Sequence, residues 1–448
     1  MKNDRRTIFG WAMYDWANSA YSTTVAGAIL PAYFADSIVP DGGYDLFGIN
    51  LSGESMWGLV VGFGAFFLFL VTPVLGAIAD FSASKKKFLT VFAYGGAIFT
   101  AVLWFMTTGD VLLTLGVFFL AQLGFVSANV FYDGFLPDIS TDDTIDKISA
   151  RGFAFGYVGG GLQLALAFGL IQLHETIGIT EAAAARWSVL MAGLWWAGFS
   201  WFAFRRFTES GQAQELPARY AGMPSWRGYA LVGFGRTWGT AKKLLGFRQL
   251  LLFLVAFMLY NDGVQTTISM SSVYASDTLE LETATIGLAF LIVQFIAFGG
   301  ALFFGWLSGR IGVKQAILVS LAIWSGIAVL AFFLPAGEAL PFFGVAALIG
   351  LVLGGIQALS RSLYGSMIPE EASAEFYGFF SVFSKFSAMW GPLIFAAIST
   401  IGDSGRPAIL SIIVFFVLGG VVLSRVDIDE ARASRDRWTF DGADTGVV

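Results

Sequence analysis

Five ionisable side chains fall inside long apolar stretches of this 448-residue sequence: Asp15, Asp133, Asp262, Arg361 and Lys385. A charge at the centre of a bilayer costs at least about 2.5–3.5 kcal/mol on insertion scales, so each marks a pair, a relay or a ligand. Their uncharged companions are Asn18, Tyr21, Asn129, Asn261, Gln265 and Gln357, with Gln163 and Gln294. Fixed charges of both signs in one polar cleft suit a zwitterion. Arg361 or Lys385 can take a carboxylate, and Asp15 or Asp262 an ammonium. Tyr14, Trp16, Tyr21 and Tyr260 can add cation–π or apolar contacts. A buried carboxylate also gains proton affinity, which makes Asp15 and Asp262 candidates for proton coupling. The competing reading is a structural ion pair that pins two helices. Asp133 and Arg361 lie nearer a membrane surface by position, so latching and snorkelling fit them as well as binding. The glutamines read as hydrogen-bonded bridges between helices.

Composition removes other chemistries. There is no cysteine, and His174 is the one histidine, so disulfides, thiolate nucleophiles, His/Cys zinc sites and His-ligated haem are excluded. No G-x-x-x-x-G-K-[ST] phosphate loop occurs, and no nucleophile–base set suggests an enzyme. No cofactor is expected. The net charge of −6 argues against nucleic acid as a partner. The expected partners are a small-molecule substrate, protons and the lipid bilayer, with the chain acting as a monomer.

The elements that must hold these residues follow from hydropathy. Hydrophobic residues make up 56% of the chain and charged ones 13%, with mean hydropathy +0.72, which fits a polytopic membrane protein and not a soluble one. Apolar runs fall near 8–34, 55–79, 87–107, 111–134, 152–173, 184–205, 248–272, 283–307, 315–334, 341–367, 376–400 and 407–424. They are continuous rather than alternating, which favours helices over a barrel. The first run carries Asp15 and Asn18 and is too long and polar for a cleaved signal peptide. Of the 26 Lys and Arg, all but Arg186, Arg361, Lys385 and Arg406 lie in alternate connections or the termini, which predicts twelve spans with both termini cytoplasmic.

One connection, 206–247, is long. It divides an N-terminal six-helix bundle, 1–205, from a C-terminal one, 248–425, ahead of a polar tail, 426–448. Within it Leu231, Phe234, Trp238, Ala241 and Leu245 recur at helical spacing, with Arg236 and Lys243 opposite, which predicts a helix lying in the membrane interface.

The two halves echo each other. Gly76-Ala-Ile-Ala-Asp80-Phe-Ser-Ala-Ser-Lys85-Lys86-Lys87 follows the second run, and Gly305-Trp-Leu-Ser-Gly309-Arg310-Ile-Gly312-Val-Lys314 follows the eighth. Tyr132-x4-Pro137-Asp138 and Tyr364-x4-Pro369-Glu370 follow the fourth and tenth. The first pair resembles the G-x-x-x-D-[RK]-x-G-[RK]-[RK] loop of the major facilitator superfamily, with Phe81, Ala83 and Gly309 departing from it. A carboxylate beside a helix N-terminus and basic residues bridging to carboxylates make Asp80, Lys85 and Arg310 candidates for a cytoplasmic gate, while Lys85 to Lys87 fit equally well as positive-inside residues that only orient the helix.

A narrower resemblance rests on Tyr14-Asp15-Trp16-Ala17-Asn18-Ser19-Ala20-Tyr21. It is joined by Phe131–Asp138, Arg151–Gly161, Tyr260–Gln265 and Glu375–Ser381. These strings are similar to the vacuole-effluxer-like branch of the superfamily. The resemblance implies an all-α fold of twelve transmembrane helices in two pseudo-symmetric bundles, with helices 1, 4, 7 and 10 lining the cavity. It also implies a secondary transporter working by alternating access. Fungal members are implicated in amino-acid release from the vacuole, so amino acids or related zwitterions are the expected substrate, in a bacterial inner membrane. Gly152, Gly156 and Gly160 resemble an antiporter motif in which Tyr157 takes the place of proline, and this tilts the expectation toward export. The alternatives are a cation-coupled sugar transporter, a lipid translocase or a non-transporting sensor.

Overall fold

The structure is a computed structural model. It describes residues 2–40, 42–209, 213–217, 220, 223–388, 390–401 and 405–438. Ten helical stretches are long and apolar enough to cross a membrane. In chain order we label α2 (Gly53–Phe81), α3 (Lys85–Val102), α4 (Val111–Gly134), α5 (Ile145–Gln172), α8 (Arg248–Val273), α9 (Thr283–Ile311), α10 (Val313–Phe332), α11 (Ala339–Met367) and α14 (Gly405–Ser424). The tenth stretch is divided into α12 (Ser373–Phe386) and α13 (Trp390–Ile401). The first and sixth expected runs are also helical but fall short of the others in unbroken length or hydropathy. They are α1 (Arg5–Ala20), which continues to Ile38, and α6 (Glu181–Phe204). The linker forms α7 (Ser225–Leu244), and the tail forms α15 (Ile428–Asp436).

Local chemistry accounts for the ends and breaks. Asp4 caps α1 by accepting from Thr7 N at 2.8 Å. Beyond Ala20 the helix widens into π turns over Tyr21–Ile29 ahead of Pro31, whose ring crowds the preceding turn and offers no N–H. Pro392 does more. The expected single span at 376–400 is broken between Phe386 and Trp390, because a proline near the start of α13 cannot continue the hydrogen bonding of α12. The fold is not purely helical: Tyr44–Leu46 and Ile49–Leu51 (β1 and β2) form a small hairpin, with Asp45 opposite Asn50. Phe47 and Gly48 both have positive φ, as a tight two-residue hairpin turn requires.

Two apolar cores form. One gathers Ile8, Trp11, Tyr14, Phe118, Phe131 and Trp196 from α1 to α6. The other gathers Phe253, Tyr260, Trp324, Leu359, Tyr364 and Phe416 from α8 to α14. Between the bundles, α2 meets α12 and α5 meets α9 and α11. Close approach is needed here: a Cβ on Gly76 would collide with the Ala374 carbonyl, and one on Gly305 with the Ala150 side chain.

The described ends of the chain lie on one face, where Lys2 pairs with Glu370 at 2.7 Å and Arg435 with Asp142 at 3.0 Å. Among the described residues, every hydrogen bond between the bundles lies between this face and Thr23, which accepts from Gln294 at 3.0 Å. The bundles are therefore clasped on the termini-bearing side. Toward the far face Ser22 on the first helix and Ser269 on α8 are exposed.

The linker segment forms a helix with Leu231, Phe234 and Trp238 on one side and Arg236 on the other. Arg236, opposite the apolar stripe, is not solvated but buried against the bundles. The apolar set Leu231, Phe234 and Trp238 points outward.

Candidate functional site

The clasp centres on one cation. Arg361, on α11, is 4% exposed. Its Nη1 lies 3.1 Å from Asp133 Oδ1 on α4 and 3.5 Å from Asp15 Oδ2 on α1. Its Nε donates to Ser149 Oγ at 3.0 Å and its Nη2 to the Ser149 carbonyl at 2.9 Å, both on α5. Aromatic faces enclose the guanidinium: Phe153 at 4.1 Å, Trp11 at 4.8 Å and Tyr132 at 5.4 Å. Tyr132 Oη donates to Asp15 Oδ2 at 3.0 Å, and Tyr377 Oη to the Arg361 carbonyl at 2.9 Å. One residue of the second bundle is thus gripped by three helices of the first.

Of the readings open for Arg361, this geometry fits latching between the bundles and not snorkelling to a surface. A guanidinium has five donors in a planar fork, and here most of them are met inside protein. Asp15 is correspondingly engaged in an ion pair between bundles. Two carboxylates face one guanidinium, so a single proton would make the cluster neutral.

Further bonds extend the clasp. Ser149 Oγ donates to the Ala358 carbonyl at 2.7 Å, and Ser362 Oγ to Asp146 Oδ1 at 2.6 Å. Tyr157 Oη donates to Gln357 Oε1 at 2.5 Å. Nearer the termini, Lys85 is buried. Its Nζ lies 2.8 Å from Asp138 Oδ2 and 3.6 Å from Asp80 Oδ1, and it donates to Ser373 Oγ at 2.7 Å. The Asp80 carboxylate accepts from Glu375 N at 2.8 Å and Ala374 N at 3.3 Å, so it caps the first turn of α12 from the opposite bundle.

Arg310 is not in this latch. It is exposed in the last turn of α9, 5.1 Å from the Trp306 ring, with no ion pair among the described residues. Gly309 stands where its half would carry an aspartate, so the second copy of the loop has no acid to work with. Asp80 meets backbone N–H groups of α12 in place of a guanidinium.

A second cluster lies at the break between α12 and α13. Asp262, 3% exposed on α8, accepts from Gly391 N at 2.9 Å. Its carboxylate thereby caps α13. Asn261 Nδ2 donates to Ser387 Oγ at 2.5 Å and toward the Ser384 carbonyl at 3.4 Å. Lys385 stands beside these serines. It is exposed and has no ion pair or hydrogen bond among the described residues. Two helical turns earlier, Gly378 abuts Pro73 of the other bundle, and next to Lys385 the Phe386 ring meets Phe69 at 5.2 Å. Lys385 therefore sits on the face of α12 turned toward the first bundle. Gln265, one turn beyond Asn261, is half-buried and makes no side-chain hydrogen bond among the described residues.

The remaining expected residues are satisfied within the first bundle. Asn18 Nδ2 donates to Asn129 Oδ1 at 2.6 Å, and Tyr21 Oη to Gln122 Oε1 at 2.9 Å. Ser149, Tyr132, Phe153, Asp138 and Glu375 went unassigned in the sequence. The motif strings contained Tyr132, Asp138, Phe153 and Glu375, but nothing local says that they meet the other half. No cluster of His, Asp or Glu able to hold a metal ion occurs among the described residues.

Comparison with known proteins gives a consistent result. Residues 3–436 match the family described as vacuole effluxer Atg22 like. The MFS-type transporter YxiO of Bacillus subtilis (strain 168) is 32% identical over 95% of this chain and 96% of its own. Autophagy-related protein 22 of Coccidioides immitis (strain RS) is 24% identical over 99% of this chain and 90% of its own. Among solved structures, the fold is similar to the human organic anion transporter MFSD10 (TM-score 0.67, 14% identity, 94% of this chain and 99% of that one). It is likewise similar to the major facilitator transporter FucP in the outward conformation (TM-score 0.68, 12% identity, 94% and 100%).

Proposed function

We propose that this chain, which belongs to the Atg22-like vacuole effluxer family and is a secondary transporter of the major facilitator fold, exports amino acids or related zwitterions by proton-coupled alternating access. The observation that carries the reading is the division of labour among the membrane charges. Arg361, Asp15 and Asp133 are spent on holding the bundles together. Asp262 caps α13 just after the break in the second bundle, and Lys385 lies in the last turn of α12 just before it.

In this reading Lys385 takes the substrate carboxylate, and Asp262 takes the ammonium. Asn261 and Gln265 add polar contacts. An amino acid supplies the missing opposite charge for each, and such charge-assisted hydrogen bonds are the stronger ones. The Arg361 cluster is the counterpart that must open for the termini-bearing face to open. With two carboxylates to one guanidinium, it takes up one proton without creating net positive charge. That makes Asp15 or Asp133 the coupling site. The Lys/Arg pattern supports placing both termini in the cytoplasm of a bacterial inner membrane. The clasped face is then the cytoplasmic one. The chain acts as a monomer in this reading.

Counterflow of labelled amino acids in proteoliposomes tests the reading, with wild type beside Lys385→Ala and Asp15→Asn. Exchange by wild type and its loss in Lys385→Ala are expected. Asp15→Asn is expected to exchange like wild type, and wild-type exchange in Lys385→Ala would remove Lys385 from the mechanism.

A further inference from the structure

The linker helix α7 spans the seam between the bundles. On one side Gly233 abuts Val74 and Ile78 in the last two turns of α2, and Tyr229 meets Phe81 edge-on at 6.1 Å. At its other end Leu244 enters the core of the second bundle. Midway, Arg236 is 3% exposed, and its Nε lies 3.7 Å from Glu375 Oε2, a carboxylate that is wholly buried. Glu375 sits in the first turn of α12, the turn that Asp80 caps through backbone N–H groups. Thus α12 is held at its start from two directions, by α2 and by α7.

The outward face of α7 is the reverse of what water would select. Leu231, Phe234 and Trp238 are 46%, 62% and 66% exposed, and Leu245 extends the same stripe. The Lys242 ammonium lies 5.4 Å from the Trp238 ring, at the edge of this face. The stripe belongs to a helix packed on the last turns of α2, at the end of a span. An aromatic and aliphatic stripe with a lysine at its rim, lying beside the end of a span, matches the boundary between headgroups and acyl chains. A soluble partner would have to cover the same zone from within the bilayer.

We propose that α7 is a lipid-seated strap. The bilayer holds its outer face, and through Arg236 and Glu375 the strap holds the start of α12 against α2, which keeps the termini-bearing face closed. Opening that face separates α12 from α2, so the strap must release one of them. Lipid contact at α7 and the conformational equilibrium are therefore linked. The linkage rests on the closed geometry and is independent of which solute is carried.

Hydrogen exchange on the full chain in lipid nanodiscs tests it, read on peptides covering 370–386. Arg236→Gln is expected to speed exchange there on the order of five- to tenfold, the usual size of coupling between linked sites. The triple change Leu231→Ser, Phe234→Ser and Trp238→Ser touches only the outer face and is expected to have the same effect. Exchange in the buried part of α8, 253–264, serves as the folding control and is expected to stay as in wild type. Unchanged exchange at 370–386 in Arg236→Gln would overturn the strap. An increase in Arg236→Gln but none in the triple variant would overturn the role of the bilayer. Amino-acid counterflow that fails in wild type leaves both outcomes readable.

Discussion

The Arg361 guanidinium and the Asp15 carboxylate come within 3.5 Å across the interface of two bundles, one from the eleventh helix and one from the first. Tyr132 holds the same carboxylate from a third helix. Such a pair cannot persist when the bundles part on this face, so it reports the conformational state.

Removing the cation is the severest change. Arg361→Ala leaves Asp15 and Asp133 facing each other in a buried site, and losing one partner of a buried pair costs about 3–5 kcal/mol. Thermal unfolding of the purified chain is expected to drop by several degrees, with transport abolished. Arg361→Lys keeps the charge but loses the fork that reaches Asp133 and Ser149 together, so it is expected to recover stability only in part.

The proposed proton coupling is expected to separate from transport in the carboxylate variants. Asp15→Asn leaves Arg361 with the Asp133 carboxylate at 3.1 Å, a one-to-one pair that needs no proton. Counterflow is expected to continue, while uphill movement driven by an imposed pH gradient is lost. A gradient response identical to wild type would move the coupling site elsewhere.

Asp80→Asn weakens the cap on α12 without removing the side chain. A carboxylate at a helix N-terminus is worth roughly 0.3–2 kcal/mol. The equilibrium is expected to shift toward opening of the termini-bearing face. The chain has no native cysteine, so spin labels at Lys87→Cys and Arg310→Cys, both exposed and on opposite bundles, can read the distance cleanly. A longer component is expected in the Asp80→Asn background.

Arg310→Ala provides the contrast. Its side chain lies over Trp306 in the last turn of α9, outside the clasp. Stability is expected to stay within about 0.5 kcal/mol of wild type, as for ordinary surface positions. Counterflow is expected to be unchanged.

Helix positions were legible because apolar runs and alternating Lys/Arg are local signals. Most predicted runs lie within a few residues of a helix. The break at Phe386–Trp390 was written in Pro392, but the largely apolar sequence on both sides hid it. The site was legible in part. Residue type and depth marked Asp15, Asp262, Arg361 and Lys385, yet which of them pair depends on how two bundles meet. That is a long-range property with no periodic signature. Ser149 shows the limit: it contacts Arg361 through both hydroxyl and carbonyl, and a serine in an apolar helix looks ordinary. The linker helix shows another. Its periodicity was visible, but a helix with one apolar and one charged face does not say which face meets protein.

The cap that Asp262 places on α13 has a consequence for how binding is felt. A carboxylate drawn toward a bound ammonium is drawn away from Gly391 N, and α13 then loses the acceptor at its first turn. The twelve residues of that half-helix are joined to α12 only through the short stretch between Phe386 and Trp390. Occupancy can therefore be transmitted as fraying and swivelling of one half-helix. The far side of the cleft would then respond to its cargo before either bundle moves as a body.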